Sequence, residues 1–573
     1  MIKTTCSHYS TEHGDQYISH SSKQEAIRKI IRQTTGHLPH VLINMTTGRL
    51  CNRAEQGSAF ESLPIFKELV SSMTTRIDYV RIKREVRQYF RYVVLSHTWE
   101  DNEPLFETVI GSMVTELEES LTHDKLRMFC EIVGKAGFNW AWSDTCCINK
   151  SDPSVLQEAL VAMFKWYEGS AMMIVFLRGV RSSSRRGALA GSKWNTRGWT
   201  LQEYFAAKVI RFYTEDWTLY LDLELPNHKE SPDVIWEMEQ ATGVSAQQLM
   251  SLRPGISSIR EKLCLASTRQ TTRVEDAAWS LLGIFSVTGI IPTYGEEERT
   301  LGLLLANVLA RSSDVSILAW TGESGRYNSC LPAHVTVFNE RPTSHLPPPI
   351  EDAEMERIIR TLDTPSFDLH VALNLYDRLN DLDAPWFTAS RMKLPCIIFP
   401  LPPLSYRTLP HRVYLYRADT LAFGRVIIKT RSDLRSGTNH LYLVHPWLDT
   451  LLERGGMRSG VFVKDDILPP PPSPNMDDEE ICDEEIDDDS WSHPDPPSLP
   501  DPVRMAPMDR EMRARRLVAC LRQPFGALLV TLASTDRRAA YNRVAADSMI
   551  TVQFQENASL ADLLDNVRTI DLL

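Results

Sequence analysis

Between residues 91 and 220, short continuous apolar runs alternate with stretches whose apolar residues recur at helical spacing. YVVL (92–95) is β-branched and ends in the polar turn SHTW. WAWSD (140–144) predicts a second strand, AMMIVFL (171–177) a third and KVIRFY (208–213) a fourth. Runs that are apolar on both faces fit strands of a parallel sheet covered on both sides. Helical patterns fall between them, over 104–121 and 124–136, with RGWTLQEYFAA (197–207) another. The best marked opens at Asp152, which can cap it. Pro153 suits its first position, and Leu156, Leu160, Met163, Phe164 and Tyr167 share one face. Strands alternating with helices predict an α/β fold with a mainly parallel sheet over 91–220.

The flanks read differently. Residues 1–90 form a polar and helical segment, with helices around 24–33 and within 60–90. Residues 221–325 read as a helical companion region. There Ser258-x-x-Glu261 and Thr272-x-x-Glu275 have capping-box spacing. A β-rich domain is expected over 326–464, where DLHVALNLYD (368–377), LPCIIFPL (394–401), RVYLYR (412–417), RVIIKT (425–430), HLYLVH (440–445) and GVFVK (460–464) look like strands. Residues 465–507 are an acidic, proline-rich, disordered linker. Residues 508–573, with GALLVTLAST and MITVQFQ, are expected to complete the β-rich domain.

Composition narrows the function. The formal charge is −12, but 14 acidic residues and no basic ones lie within 465–501, so the rest is nearly neutral. Net charge therefore gives no argument for nucleic-acid binding, and the basic run RIKREVR (81–87) reads as a solvated helix face. No apolar run approaches the roughly 20 residues of a membrane span. The first residues lack the apolar core of a secretory leader. With no C-x-x-C among ten cysteines, reduced thiols and a cytoplasmic location are expected. The chain has neither a phosphate-binding G-x-x-x-x-G-K-[ST] loop nor H-E-x-x-H. No metal site and no resident cofactor are expected.

In open α/β sheets, ligands bind beyond the carboxyl ends of the strands. Ser96, His97 and Trp99 fall at one such end, Asp144, Cys146 and Cys147 at the next. Asp144 can orient a ribose hydroxyl, or simply cap its own turn. Glu203 can stabilise oxocarbenium character or activate water, but Thr200-x-x-Glu203 is also a capping box. Arg197 suits a phosphate or a salt bridge. His97 suits proton transfer, or a structural place beside Trp99. Trp99, Trp140, Trp142 and Trp199 offer stacking surfaces, although core packing accounts for most tryptophans. Cys146 and Cys147 read as buried core rather than nucleophiles.

The blocks YVVLSHTW (92–99), WAWSDTCCINK (140–150), MFKWYEGS (163–170) and RGWTLQE (197–203), in this order, resemble the fungal heterokaryon-incompatibility (HET) domain. RQTTRVEDAAWSLLGIF (269–285) and PTYGEEER (292–299) resemble the helical region often found after it. The family usually has Gly at Glu100, an aliphatic residue at Ser143, Asp at Asn149 and Gly at Glu297. The resemblance implies an effector of non-self recognition that triggers programmed cell death. Through the domain's distant likeness to TIR domains, some of which cleave NAD, it implies a TIR-like sheet and NAD as a candidate substrate. On that reading Glu203 and Asp144 are the catalytic candidates, and Ser96, His97, Trp99 and Arg197 the ligand-binding ones. A nucleotide-cleaving hydrolase and a non-catalytic, self-associating module both remain open, with self-association or an unidentified protein as partner.

Overall fold

A computed structural model describes residues 17–339, 352–362, 367–434, 440–447, 510–534, 539–555 and 558–573. The expected linker at 465–507 and the run GVFVK lie outside them. Around the first sheet the strands are β1 (Val41–Asn44), β2 (Leu50–Asn52), β3 (Tyr92–His97), β4 (Trp140–Ser143), β5 (Met172–Leu177) and β6 (Ile210–Thr214). They lie in the order β2-β1-β4-β3-β5-β6. β3 pairs in parallel with both β4 and β5, and β5 in parallel with β6. β3 and β5 are buried along their whole length, as their unbroken apolar runs require. Counted from β3, the parallel strands run second, first, third, fourth. The chain thus steps outward from β3 in both directions, which makes the carboxyl end of β3 the switch point of the sheet.

The N-terminal segment is more than polar and helical. β1 and β2 form a hairpin whose first strand pairs antiparallel with β4, Ile43 facing Ala141. Leu42 and Ile43 are fully buried there. Helices α1 (His20–Gly36), α2 (Leu121–Lys135), α3 (Pro153–Glu168) and α4 (Trp199–Ala206) accompany this sheet. α3 starts as its sequence directs, with the Asp152 carboxylate accepting from the amides of Ser154 and Val155. The helix expected over 104–121 is reduced to the turns Phe106–Val109 and Val114–Glu116. Gly111, at φ 81°, breaks it. Val109, Val114 and Leu117 are still buried, so their spacing served a folded loop rather than a helix.

Beyond the sheet lie α5 (Ile259–Ser267), α6 (Glu297–Ser312), α7 (Leu369–Asn380) and α8 (Arg510–Leu521). Neither expected capping box forms. Ser258 precedes α5 at φ 48° with no side-chain cap bond. Thr272 stands well before the short helix Asp276–Trp279, and Glu275 accepts from the Gly295 amide at 2.7 Å instead. DLHVALNLYD is a helix rather than a strand. The Asp368 side chain caps α7 through the Val371 amide, and Ala372, Leu375, Tyr376 and Leu379 line its buried face.

The remaining strands are β7 (Trp386–Thr388), β8 (Arg391–Pro400), β9 (Ser405–Leu409), β10 (Val413–Thr420), β11 (Gly424–Thr430), β12 (Leu441–Pro446), β13 (Phe525–Ser534), β14 (Ala540–Arg543), β15 (Ile550–Val552) and β16 (Val567–Leu572). β9, β10 and β11 form a separate antiparallel sheet. The pairings of β8 with β12, β12 with β13, β13 with β14, β14 with β16 and β16 with β8 close a ring. Side chains alternate across β8. Met392, Leu394 and Ile398 join the core shared with the first sheet, whereas Ile397 and Phe399 join the core beneath α7 and α8. Arg543 of β14 is buried and donates to the carbonyls of Leu318 and Trp320, both at 2.8 Å, with its guanidinium 3.7 Å from the Trp320 ring centroid. Among the described residues no helix is long and apolar enough to cross a membrane.

Candidate functional site

The parallel register carries the ends of β3 and β4 to one edge of the sheet, and α4 closes over them. Ser96, the penultimate residue of β3, is buried; its hydroxyl donates to the Glu203 carboxyl and accepts from Trp194 Nε1 at 2.7 Å. His97 ends β3 between two carboxylates. Its Nε2 stands 3.4 Å from Asp144 Oδ1 and its Nδ1 3.6 Å from Glu103 Oε1. Asp144 follows β4 directly and accepts from Trp99 Nε1 at 2.8 Å. Trp99 is 42% exposed, with Lys150 Nζ 3.6 Å and the Arg197 guanidinium carbon 5.0 Å from its ring centroid.

Glu203 does not close a capping box. α4 begins at Trp199 with Gly198 at its cap and no side-chain cap bond, so Glu203 sits inside the helix and faces Ser96. The Thr200 hydroxyl bonds back to the carbonyls of Trp194 and Arg197. Buried Arg269 fastens the same turn, donating to Arg197 O at 3.0 Å, Thr200 Oγ1 at 2.8 Å and Asn195 Oδ1 at 3.1 Å.

The two candidate carboxyls are driven apart electrostatically. Burial pushes the Glu203 pKa up to about 7; the charge of Asp144 adds to this, while the Ser96 hydrogen bond, Arg197 and Arg269 oppose it. Burial acts on Asp144 in the same sense. There the contact with His97 and the positive charges of Lys150 and Arg197 more than offset it, and hold the carboxyl well below the usual range. Burial also lowers the Arg269 pKa to about 9, with Glu203 opposing. Two carboxyls held in opposite protonation preferences can divide acid–base labour between them.

The catalytic and ligand-binding candidates Ser96, His97, Trp99, Asp144, Arg197 and Glu203 lie together at this edge. Trp140 and Trp142 are fully buried core. Cys146 and Cys147 are buried free thiols, and the Cys147 contact and burial push the Cys146 pKa well up, away from a nucleophile. Asn149 accepts from the backbone and hydroxyl of Ser151 within its own turn. Glu100 pairs with Lys125 at 3.6 Å and Arg178 at 3.5 Å. Sequence reasoning missed Lys150, Trp194 and Arg269. Lys150 closes one of the quoted blocks and Arg269 opens another; Trp194 carried no signal.

The family model described as Heterokaryon incompatibility protein (HET) matches residues 92–190. Vegetative incompatibility protein HET-E-1 of Podospora anserina is 31% identical over 207 residues, covering 34% of this chain and 14% of that protein. No solved structure matches the chain. The class defined here is thus a chain that carries a heterokaryon incompatibility (HET) domain across residues 92–190. That span contains Ser96, His97, Trp99, Asp144 and Lys150, whereas Arg197, Glu203 and Arg269 lie beyond it.

Proposed function

We propose that this chain is a fungal heterokaryon incompatibility effector whose HET domain triggers cell death by hydrolysing the nicotinamide N-glycosidic bond of NAD. The observation that carries the reading is the buried Ser96–Glu203 pair, its carboxyl pushed up to about 7, beside an Asp144 carboxyl held ionised. Asp144 accepts the ribose hydroxyls and Trp99 stacks on a ring of the substrate. The C1′–N1 bond breaks with its electron pair leaving on neutral nicotinamide. Water adds to the oxocarbenium carbon, and ionised Glu203 takes the proton that the water releases. The parallel order of β4, β3, β5 and β6 supports a TIR-like description of the sheet. Recognition of the trigger falls to the β-rich part, another protein or a second copy of the chain.

Incubation of the full-length protein with NAD should release nicotinamide, and Glu203→Gln should abolish the release while the protein stays folded. Expression in a fungal host should kill cells with wild type and spare them with Glu203→Gln. A fully toxic Glu203→Gln protein would reject the chemistry and favour signalling by self-association.

A further inference from the structure

Lys150 has no part in the chemistry above, yet its ammonium is enclosed at the site, and no hydrogen-bond acceptor among the described residues meets it. An ammonium carries three donors, and leaving them unmet away from water is costly. What Lys150 has is the face of Trp99, 3.6 Å away, shared with the Arg197 guanidinium at 5.0 Å. A cation over an indole recovers less than a set of charge-assisted hydrogen bonds supplies. The carboxylates that act on Lys150 are already engaged elsewhere: Asp144 accepts from Trp99 Nε1 and touches His97, and Glu103 pairs with Lys125. Neither hydrogen-bonds the Lys150 ammonium. The cation thus waits at a half-exposed indole, and burial, aided by Arg197, lowers the Lys150 pKa while Asp144 opposes.

We infer that Lys150, assisted by Arg197, receives the phosphate groups of a nucleotide ligand, with the Trp99 ring holding both cations ready until that ligand arrives. The inference rests on the nucleotide reading of the same site but not on any bond being cleaved there. Lys150 would move its ammonium from the ring face to phosphate oxygens, and Arg197 would add a bidentate contact.

Calorimetric titration of the full-length protein with ADP-ribose, inorganic pyrophosphate and adenosine tests it. ADP-ribose should bind at least tenfold more tightly than adenosine, and its affinity should fall as salt rises. Lys150→Met should cost at least tenfold on ADP-ribose, and Lys150→Arg should restore most of it. Tighter binding of ADP-ribose than of pyrophosphate assigns the site to a nucleotide's diphosphate; equal binding assigns it to phosphate alone, and both uphold the role of Lys150. Unchanged ADP-ribose affinity in Lys150→Met, or wild type that prefers adenosine, overturns it. Should Lys150→Met fail to fold, Arg197→Gln carries the same comparison. Lys150-dependent ADP-ribose binding without nicotinamide release would reject the hydrolysis reading and leave this one standing. NAD turnover indifferent to Lys150→Met would do the reverse.

Discussion

At the scale of single residues, Ser96 joins two buried groups: it accepts from the Trp194 indole and gives its own proton to Glu203. The second bond is too weak to cancel the burial of the carboxyl, and this has a measurable consequence. Between pH 4.5 and about 7 the folded protein keeps Glu203 protonated where the unfolded chain ionises it. The folded state binds more protons there, so stability falls as pH rises through that window, by up to about 3 kcal/mol. Glu203→Gln is neutral at every pH and removes the slope. Urea unfolding at pH 5 and pH 8 should show wild type losing stability and the variant losing less, with the variant the more stable of the two at pH 8. Parallel losses in both proteins would place the titration on another group. Asp144 acts in the opposite sense. Its carboxyl is held below the ordinary 3.8, so its contribution is intact above that value and is lost only as the solution becomes more acid.

At the scale of elements, α4 depends on how closely its first turn approaches the segment at 270. The Gly198 amide donates to Gln270 O at 2.8 Å, and a Cβ on Gly198 would stand 2.4 Å from the Thr271 methyl. Thr271 is β-branched and cannot swing aside freely. Gly198→Ala should therefore cost about 1–3 kcal/mol in urea unfolding. By displacing α4 it should also flatten the pH slope that Glu203 imposes; an unchanged slope would show that the helix tolerates the shift. The same element shows why a residue pattern can mislead. Thr200 and Glu203 have capping-box spacing, but spacing does not say where the helix begins, and Arg269 draws the Thr200 hydroxyl into the turn before it. In DLHVALNLYD both periods are present, and the Asp368 cap together with burial at helical intervals decides for helix. Of the four parallel strands, β3, β4 and β5 were legible because each is buried on both faces, and β6 because only Arg211 interrupts its apolar run. β1 and β2 were not, because four and three residues give too short a pattern and their pairing with β4 is set by packing remote in sequence. The strand ends gave Ser96, His97 and Asp144, since parallel register brings them to one edge. Lys150 and Arg269 arrive along loops and Trp194 on the four-residue helix Lys193–Thr196, whose paths no local periodicity encodes.

At the scale of the molecule, the HET domain and the β-rich part are not beads on a string. β8 sends one face into the core shared with the first sheet and the other into the core under α7 and α8. The closed ring leaves β8, β12, β13, β14 and β16 with both edges paired along part of their length, which suppresses edge-to-edge association through these strands. The strands come from both sides of the segment expected to be a linker, so a chain interrupted there could not complete the ring. Arg543 then ties the ring to the helical region through the carbonyls of Leu318 and Trp320.

That tie sets a clock during synthesis. The Leu318 carbonyl leaves the ribosome 225 residues before the arginine that it accepts from. At about 5–20 residues per second, the helical region waits roughly 10–45 s for its partner. Throughout this interval the helical region exists beside an unfinished neighbour, because β14 and β16, which close the ring, are made last. Chains stalled on the ribosome before residue 543 emerges should be cut by protease around 318–330, and chains stalled after it has emerged should resist; equal cutting of both would show that the tie is dispensable. The 225 residues between the two partners are thus translated before Arg543 can close the tie.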